Sequence, residues 1–370
     1  MINFSVNAER TLERAIAIQQ IAAPTFEERR RAEYVAQEFK KLGLSDVEMD
    51  EIGNVFARRR GADRSRPILV TAHTDTVFPA QTDLKVTRTH ERICGPGIGD
   101  NSLAVAALFE LVQILDEAKI ETDGDLWLAA NVCEEGLGDL RGMRKVVERF
   151  GDSVKATIII EGMSFGRVIH GAIGVHRFRI TAQAEGGHSW SKFGNPSAIH
   201  GLIKLANHIV EMDVPKKPKT TYNIGVIRGG TSVNTIANEA SLELDMRSES
   251  VEALNKLVER VESLIKIHNS SEVKLTHETI SQRPAGMIAL DHPLIQLAAD
   301  SLRAVGEEPK FEVGSTDANI PLSKGLAAVV VGICEGHNAH RPDEYTETAR
   351  AADGMKQLVL LVTGAFRVGD

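Results

Sequence analysis

Apolar positions recur every three or four residues over 8–22 and again over 27–42, the spacing of two amphipathic helices. In the second, Ala32, Val35, Ala36 and Phe39 form one stripe and Gly43 follows as a stop signal. Short strands are expected at 47–51 and 54–58, the latter alternating like a sheet edge. Four unbroken apolar runs then stand out, at 68–72, 126–132, 156–160 and 327–331, each of strand length and without polar alternation, as in strands buried on both faces. Between the first two lies 103–118, apolar on nearly every side and so a core helix, with Asn101 or Ser102 as its expected N-cap. Buried strands separated by helices predict an α/β fold around a mostly parallel sheet.

The pattern changes in the middle of the chain. Residues 175–184 alternate strictly, 196–212 read as a helix, 221–227 and 240–247 as strands, 251–267 as an amphipathic helix and 272–279 as a further strand. The order β-α-β-β-α-β is that of a ferredoxin-like α+β unit. It predicts a small domain at 172–284 inserted into a larger one made of 1–171 and 285–370. Lys216–Lys219, flanked by Pro215 and containing Pro218, is an exposed loop of that insert. No internal repeat or low-complexity stretch interrupts the chain.

Composition narrows the functional classes. At 370 residues the chain exceeds one typical domain of about 150 residues. With 42% hydrophobic and 25% charged residues and a formal charge of −8, it has the balance of a globular protein that avoids nucleic acid. Cys94, Cys133 and Cys334 are too dispersed for a disulfide framework or a thiolate zinc knuckle, and read as buried thiols. The first twenty residues carry Glu9, Arg10, Glu13 and Arg14 in place of a continuous apolar core, and no segment approaches the ~20 apolar residues of a membrane helix. A soluble, cytoplasmic protein without a membrane partner is expected.

The candidate chemistry lies where the apolar runs stop. The first ends at His73, with Asp75 two positions on, the spacing that puts two strand side chains on one face. The second runs into Glu134 and Glu135, the third into Glu161, and the fourth leads through Gly332 to Glu335, His337 and His340. Ligands of parallel sheets bind beyond the strands' carboxyl ends, where these groups would collect. Gly95, Gly97 and Gly99 crowd before Asp100, whose simplest reading is an acid at a helix N-terminus. The glycines do not make a nucleotide loop, since no Gly-Lys-Ser/Thr follows. Glu134 and Glu135 have a surface-turn reading and Glu161 a loop-start reading.

Taken together, His73, Asp100, Glu135, Glu161 and His340 supply imidazole and carboxylate groups and no thiolate, a set that suits catalytic zinc, with manganese or cobalt also possible. Five ligands exceed one open tetrahedral site and match two ions ~3.5–4 Å apart sharing a carboxylate, for which Asp100 is the candidate. Adjacent Glu134 and Glu135 can divide their duties: Glu135 binds metal, and Glu134 acts as general base toward a metal-activated water and returns the proton to the leaving amine. His337 reads as structural or supporting.

His73-Thr74-Asp75-Thr76, Gly97-Ile98-Gly99-Asp100-Asn101, Glu134-Glu135-Gly136, Glu161-Gly162 and the late His340, in that order, resemble the motifs of the dinuclear zinc family of aminoacylase, carboxypeptidase G, succinyl-diaminopimelate desuccinylase and peptidase T. The resemblance spans essentially the whole chain. It implies a zinc-exopeptidase-type catalytic domain binding two zinc ions through His73, Asp100, Glu135, Glu161 and His340, with Asp75 behind His73 and Glu134 as acid/base. It implies further that the insert is a lid or dimerisation domain of a homodimer. The His188 of Gly186-Gly187-His188-Ser189 then polarises the scissile carbonyl, in cis or from the partner subunit. Asn234 and Arg247 resemble substrate-binding residues of that domain, although Arg247 also reads as a solvated strand end. Gly314-Ser315 resembles the substrate loop, where the family often has Gly-Gly. The expected activity is hydrolysis of an amide bond in small peptides, of peptidase T or carboxypeptidase G type. An N-acyl-amino-acid deacylase is the alternative, and a non-catalytic metal-binding assembly protein is a remote one.

Overall fold

The computed structural model describes residues 4–369. Residues up to Ala172 and from Gly286 onward form one compact unit, and Ile173–Ala285 form another. In chain order the strands of the first unit's main sheet begin with β1 (Ser45–Met49), β2 (Val55–Arg59), β3 (Ile68–His73), β4 (Leu126–Asn131), β5 (Ala156–Ile160) and β6 (Arg167–Ala172). The second unit holds β7 (Gly174–Ala184), β8 (Thr220–Gly229), β9 (Glu239–Ser248) and β10 (Val273–Arg283). Then β11 (Gly286–Met287), β12 (Lys310–Gly314) and β13 (Ala328–Val331) rejoin the first.

The first unit's sheet runs β1-β2-β4-β3-β5-β13-β6-β11, with β12 beside β6. Its centre, β4-β3-β5-β13, is parallel throughout, and every residue of β3, β5 and β13 is buried. Continuous Val, Ile, Leu and Ala runs are what such doubly covered strands require. Register aligns Ile68 with Leu126 and with Ala156, and Val331 with Ile160, so the chain leaves all four strands at the same edge. Segments 74–75, 132–135, 161–163 and 332 onward start there.

Helices α1 (Ala8–Gln19), α2 (Arg29–Lys41), α3 (Leu103–Glu117) and α4 (Arg141–Phe150) belong to the first unit. In α3, Leu103–Val112, Ile114 and Leu115 are all buried, because the helix packs against α1 and β3 and against a C-terminal helix, Ala351–Ala365. That enclosure explains a helix apolar on every side. Expectation needs correction here: Ile98–Glu117, 20 residues with mean hydropathy 1.4, has the length and composition of a membrane span, yet 89% of its apolar window is buried inside the protein. The N-cap is also corrected. Ser102 precedes α3 in helical geometry without capping it, and its hydroxyl donates to the Gly97 carbonyl at 2.6 Å.

The second unit places α5 (Ala198–Val210) and α6 (Val251–His268) on a four-stranded antiparallel sheet of order β8-β9-β7-β10. Its core joins Phe178, Ile180 and Ala182 of β7 with Leu242, Leu244 and Met246 of β9 and with Leu202, Leu205, Leu257 and Val261 of the helices. Leaving and returning strands of the first unit are neighbours, Gly286 pairing with Ala172.

Candidate active site

At the carboxyl edge of the central strands, five carboxylates gather around two imidazoles. His73, the last residue of β3, is buried; its Nε2 lies 3.1 Å from Asp100 Oδ1 and 3.8 Å from Glu161 Oε2. The other oxygen of Asp100, Oδ2, lies 3.2 Å from His340 Nε2, which is also 3.1 Å from Glu135 Oε1. One carboxylate thus divides its two oxygens between the two histidines. Three donor sets each gather within 4.8 Å: His73, Asp100 and Glu161; His73, Glu134 and Glu135; and Asp100, Glu135 and His340.

Asp75 does not share a strand face with His73, as the two-residue spacing suggested, because β3 ends at His73. Its main-chain carbonyl lies 3.2 Å from His73 Nδ1 and its carboxylate 3.5 Å. That carboxylate is committed to the neighbouring strand end: Oδ1 accepts the Glu134 N–H and Oδ2 the Glu135 N–H, each at 2.9 Å, and Oδ2 also accepts the Thr25 hydroxyl at 2.9 Å. Burial alone would raise Asp75; His73 and these two amides outweigh it and hold the carboxyl below its ordinary range. With Nδ1 turned to the Asp75 oxygens, Nε2 is the ring nitrogen that faces Asp100.

Asp100 sits in a wide turn, non-helical at φ −109° and ψ 88°, and the Asp100–Asn101 peptide is cis. Its oxygens point to imidazoles, so its role is not that of an acid at the start of α3, which begins at Leu103. Asn101 brackets Glu161: its Nδ2 donates to the Ile160 carbonyl at 2.9 Å, and its Oδ1 accepts the Gly162 N–H at 2.8 Å. Cys133, just before the glutamate pair, and His340 both adopt left-handed φ, 59° and 66°. Such strain, of order 1–3 kcal/mol per residue, persists only where surrounding contacts over-determine the backbone, and it clusters at functional sites.

Electrostatics follow from crowding. Burial opposes a charge on His73, but Asp100, Asp75 and Glu161 outweigh it and raise the imidazole well above its ordinary value. Asp100 and Glu135 push His340 up to about 10. Burial and the Asp100 charge raise Glu135. Five acids against two imidazoles, with no sulfur donor among them, is the composition of a site completed by hard or borderline cations. The donor set therefore fits two divalent ions.

Several supporting residues carry no sequence signal of their own. Arg31, on α2, is buried with its guanidinium donating to the Ile21 carbonyl (3.0 and 2.6 Å) and the Thr74 carbonyl (2.8 Å). Burial lowers it to about 10, so it stays a cation beside Asp75 and Glu28. Glu28 Oε1 accepts the N–H groups of Phe26 and Cys133 at 2.9 and 3.1 Å. Asp317, wholly buried, accepts the Asn131 amide at 2.7 Å, and burial pushes it up to about 7. It belongs to the loop that follows Gly314, the last residue of β12, and begins with Ser315, and it feels the charges of His73, Glu161 and Asp75. His337 packs its ring against Tyr345 at 5.2 Å.

The remaining sequence-derived candidates lie in the second unit. Gly187-His188 pairs with Thr235-Ile236, and the Ser189 N–H donates to the Asn234 carbonyl at 3.0 Å, so His188 and Asn234 are neighbours. His188 Nδ1 accepts the N–H groups of Trp190 and Ser191 at 3.2 and 3.4 Å, which leaves Nε2 as the ring nitrogen outside these contacts. Arg247 lies on β9 and pairs with Asp245 at 2.7 Å, which Arg177 also contacts at 2.7 Å.

Known proteins show the same organisation. A peptidase M20 domain-containing protein of Schizosaccharomyces pombe is 27% identical over 312 residues, 82% of this chain and 70% of that protein. The aminopeptidase PepT structure from Bacillus cereus superposes with a TM-score of 0.80 at 20% identity, over 97% of this chain and 99% of that one. A Bacillus subtilis structure described as a dinuclear metal-binding peptidase from family M20 superposes with a TM-score of 0.71 at 15% identity, over 98% and 99% of the two chains. The model of peptidase family M20/M25/M40 matches residues 69–364, a span that holds every residue of the cluster from His73 to His340. The chain belongs to peptidase family M20/M25/M40, and it is a hydrolase.

Proposed function

We propose that the protein is a two-zinc exopeptidase that cleaves an amide bond in small peptides. The observation that carries this reading is the division of the Asp100 carboxylate between His73 and His340, with Glu135 in a donor set with each histidine and Glu134 beside it in the His73 set. His73 and Glu161 would hold one ion and His340 and Glu135 the other, with Asp100 as the carboxylate common to both. Manganese or cobalt fits the same donors. When bound, the ions lower the pKa of a coordinated water and polarise the scissile carbonyl.

Everything else falls to the chain's own side chains. Glu134, its backbone held by Asp75, takes the proton from the attacking water and delivers it to the leaving nitrogen. Glu135 stays ionised as a ligand, so the two glutamates do not compete for one proton. His188 donates from Nε2 to the oxygen that gains charge, with Asn234 beside it and Arg247 receiving the substrate carboxylate. Gly314, at the end of β12, and Ser315, in the loop after it, border the substrate.

The second unit serves as the lid and the dimerisation surface. β8 is an edge strand, and Ile227 on it, with Ile203 and Val210 on α5, leaves exposed apolar surface for a second copy. Three free cysteines fit a reducing cytoplasm.

The test is Glu134→Gln, assayed on di- and tripeptides and on N-acyl amino acids. Hydrolysis is expected to fall by about 10²–10⁴-fold, with metal content unchanged. Activity retained in the metal-loaded variant would remove Glu134 from its role. A wild type that cleaves only acyl amino acids would make the protein a deacylase of the acetylornithine or succinyl-diaminopimelate kind.

A further inference from the structure

Glu344 lies four residues beyond His340, in the turn that follows it, and its side chain is wholly buried. Its Oε1 accepts two main-chain N–H groups, those of Gly99 at 2.9 Å and Asp100 at 3.0 Å. Its own carbonyl accepts the Gly95 N–H at 2.8 Å, and its N–H donates to the Arg341 carbonyl at 3.0 Å. A single residue therefore joins the turn behind His340 to the glycine-rich segment that presents Asp100. The two side chains so joined meet at 3.2 Å, His340 Nε2 to Asp100 Oδ2. The second carboxyl oxygen, Oε2, is buried without a hydrogen-bond partner.

An unpartnered buried oxygen, close to the charge of Asp100, is a costly choice for a residue that only fills space. An apolar side chain would avoid that cost, but it would orphan the Gly99 and Asp100 N–H groups. Both amides precede α3, outside the reach of its own carbonyls, so they need an external acceptor. With that acceptor in place, the Asp100 backbone is set and its two oxygens are directed to different imidazoles. Without it, the carboxylate can turn to one histidine only, and the shared ligand becomes an ordinary one.

We propose that Glu344 is a positioning residue for the bridging carboxylate, and that it makes uptake of the second metal ion depend on the turn that carries His340. This rests on the two-metal reading above. The chemistry it needs is a fixed double acceptor, not a charge.

The experiment titrates Co²⁺ into metal-free wild type, Glu344→Ala and Glu344→Gln, following the cobalt d–d absorption and the metal content per chain. Wild type is expected to take up two equivalents with similar affinity. In Glu344→Ala the second equivalent should weaken by about 10–100-fold, the usual penalty for losing a group behind a metal ligand, and its spectral component should appear late. Glu344→Gln keeps an acceptor oxygen and should restore both. Two tightly bound equivalents in Glu344→Ala would overturn the proposal, as would a Gln variant no better than the Ala variant. Should Glu344→Ala fail to fold by circular dichroism, Glu344→Asp takes its place. It keeps the charge but falls one methylene short, and wild-type cobalt uptake by it would also overturn the proposal. If wild type itself binds fewer than two equivalents, the two-metal reading falls and takes this inference with it.

Discussion

His73 and His340 each face carboxylates through Nε2, and both are raised, His340 to about 10. In the metal-free protein at pH 7.5 the His340 ring is therefore imidazolium, and a cation has to displace its proton. Metal uptake should release about one proton from His340, with the raised His73 ring adding to it, measured as the dependence of calorimetric heat on buffer ionisation enthalpy. Release near zero would show that the rings are already neutral. A raised folded-state pKa also fixes the sign for stability. The imidazoliums support the metal-free fold fully below their ordinary value near 6.5, and that support disappears as pH climbs through about 10 for His340. At this scale, the members of the carboxylate–imidazole cluster are readable from the sequence because they stand in short motifs just beyond strands or beside glycines. Arg31, Glu28, Asn101, Asp317 and Glu344 are not, since each is polar, buried and placed only by contacts far along the chain.

Strand ends matter as much as side chains. Gly162 follows Glu161 at the end of β5, and a Cβ there would stand 2.2 Å from the Gly99 carbonyl oxygen and 3.1 Å from Leu103 Cβ. Two ligand-bearing segments approach so closely that only a residue without a side chain fits. Gly162→Ala should therefore lower stability by roughly 1–3 kcal/mol and weaken metal binding, since relief requires Glu161 and Asp100 to separate. Denaturant unfolding and metal titration check both, and an alanine variant with wild-type values in each would refute the steric argument. The four buried strands were legible because doubly covered strands carry unbroken apolar runs. β6 was not, because Arg167 and His170 interrupt its pattern and it pairs on both sides only after distant segments return. Likewise β12, Lys310–Gly314, carries exposed Lys310 and Phe311 at the margin of the sheet, where burial imposes no pattern.

The insert is the smaller of the molecule's two compact units, and its points of attachment favour a clean separation. Ala172 and Gly286 are paired neighbours in the first unit's sheet, so a short turn can replace 173–285. The shortened chain should fold, bind two cobalt ions and hydrolyse nothing, because His188 and Asn234 leave with the excised residues. Residual hydrolysis near the wild-type rate would show that the second unit supplies no catalytic group. Both units draw their cores from their own residues, with Phe178, Leu242 and Val261 in one and Phe109, Ile158 and Val331 in the other.

β13 lies between β5 and β6, yet it is the last strand of the central sheet to be made. During synthesis the earlier strands emerge with a gap at that position, and the second unit, complete by Ala285, can fold while the gap is still open. Closing it requires Ala328–Val331 to insert between strands synthesised more than 150 residues before, a slow, non-local step. His340 follows within ten residues of β13. His340 is thus translated only after every strand of the central sheet, so the carboxylate–imidazole cluster cannot assemble before β13 has been made.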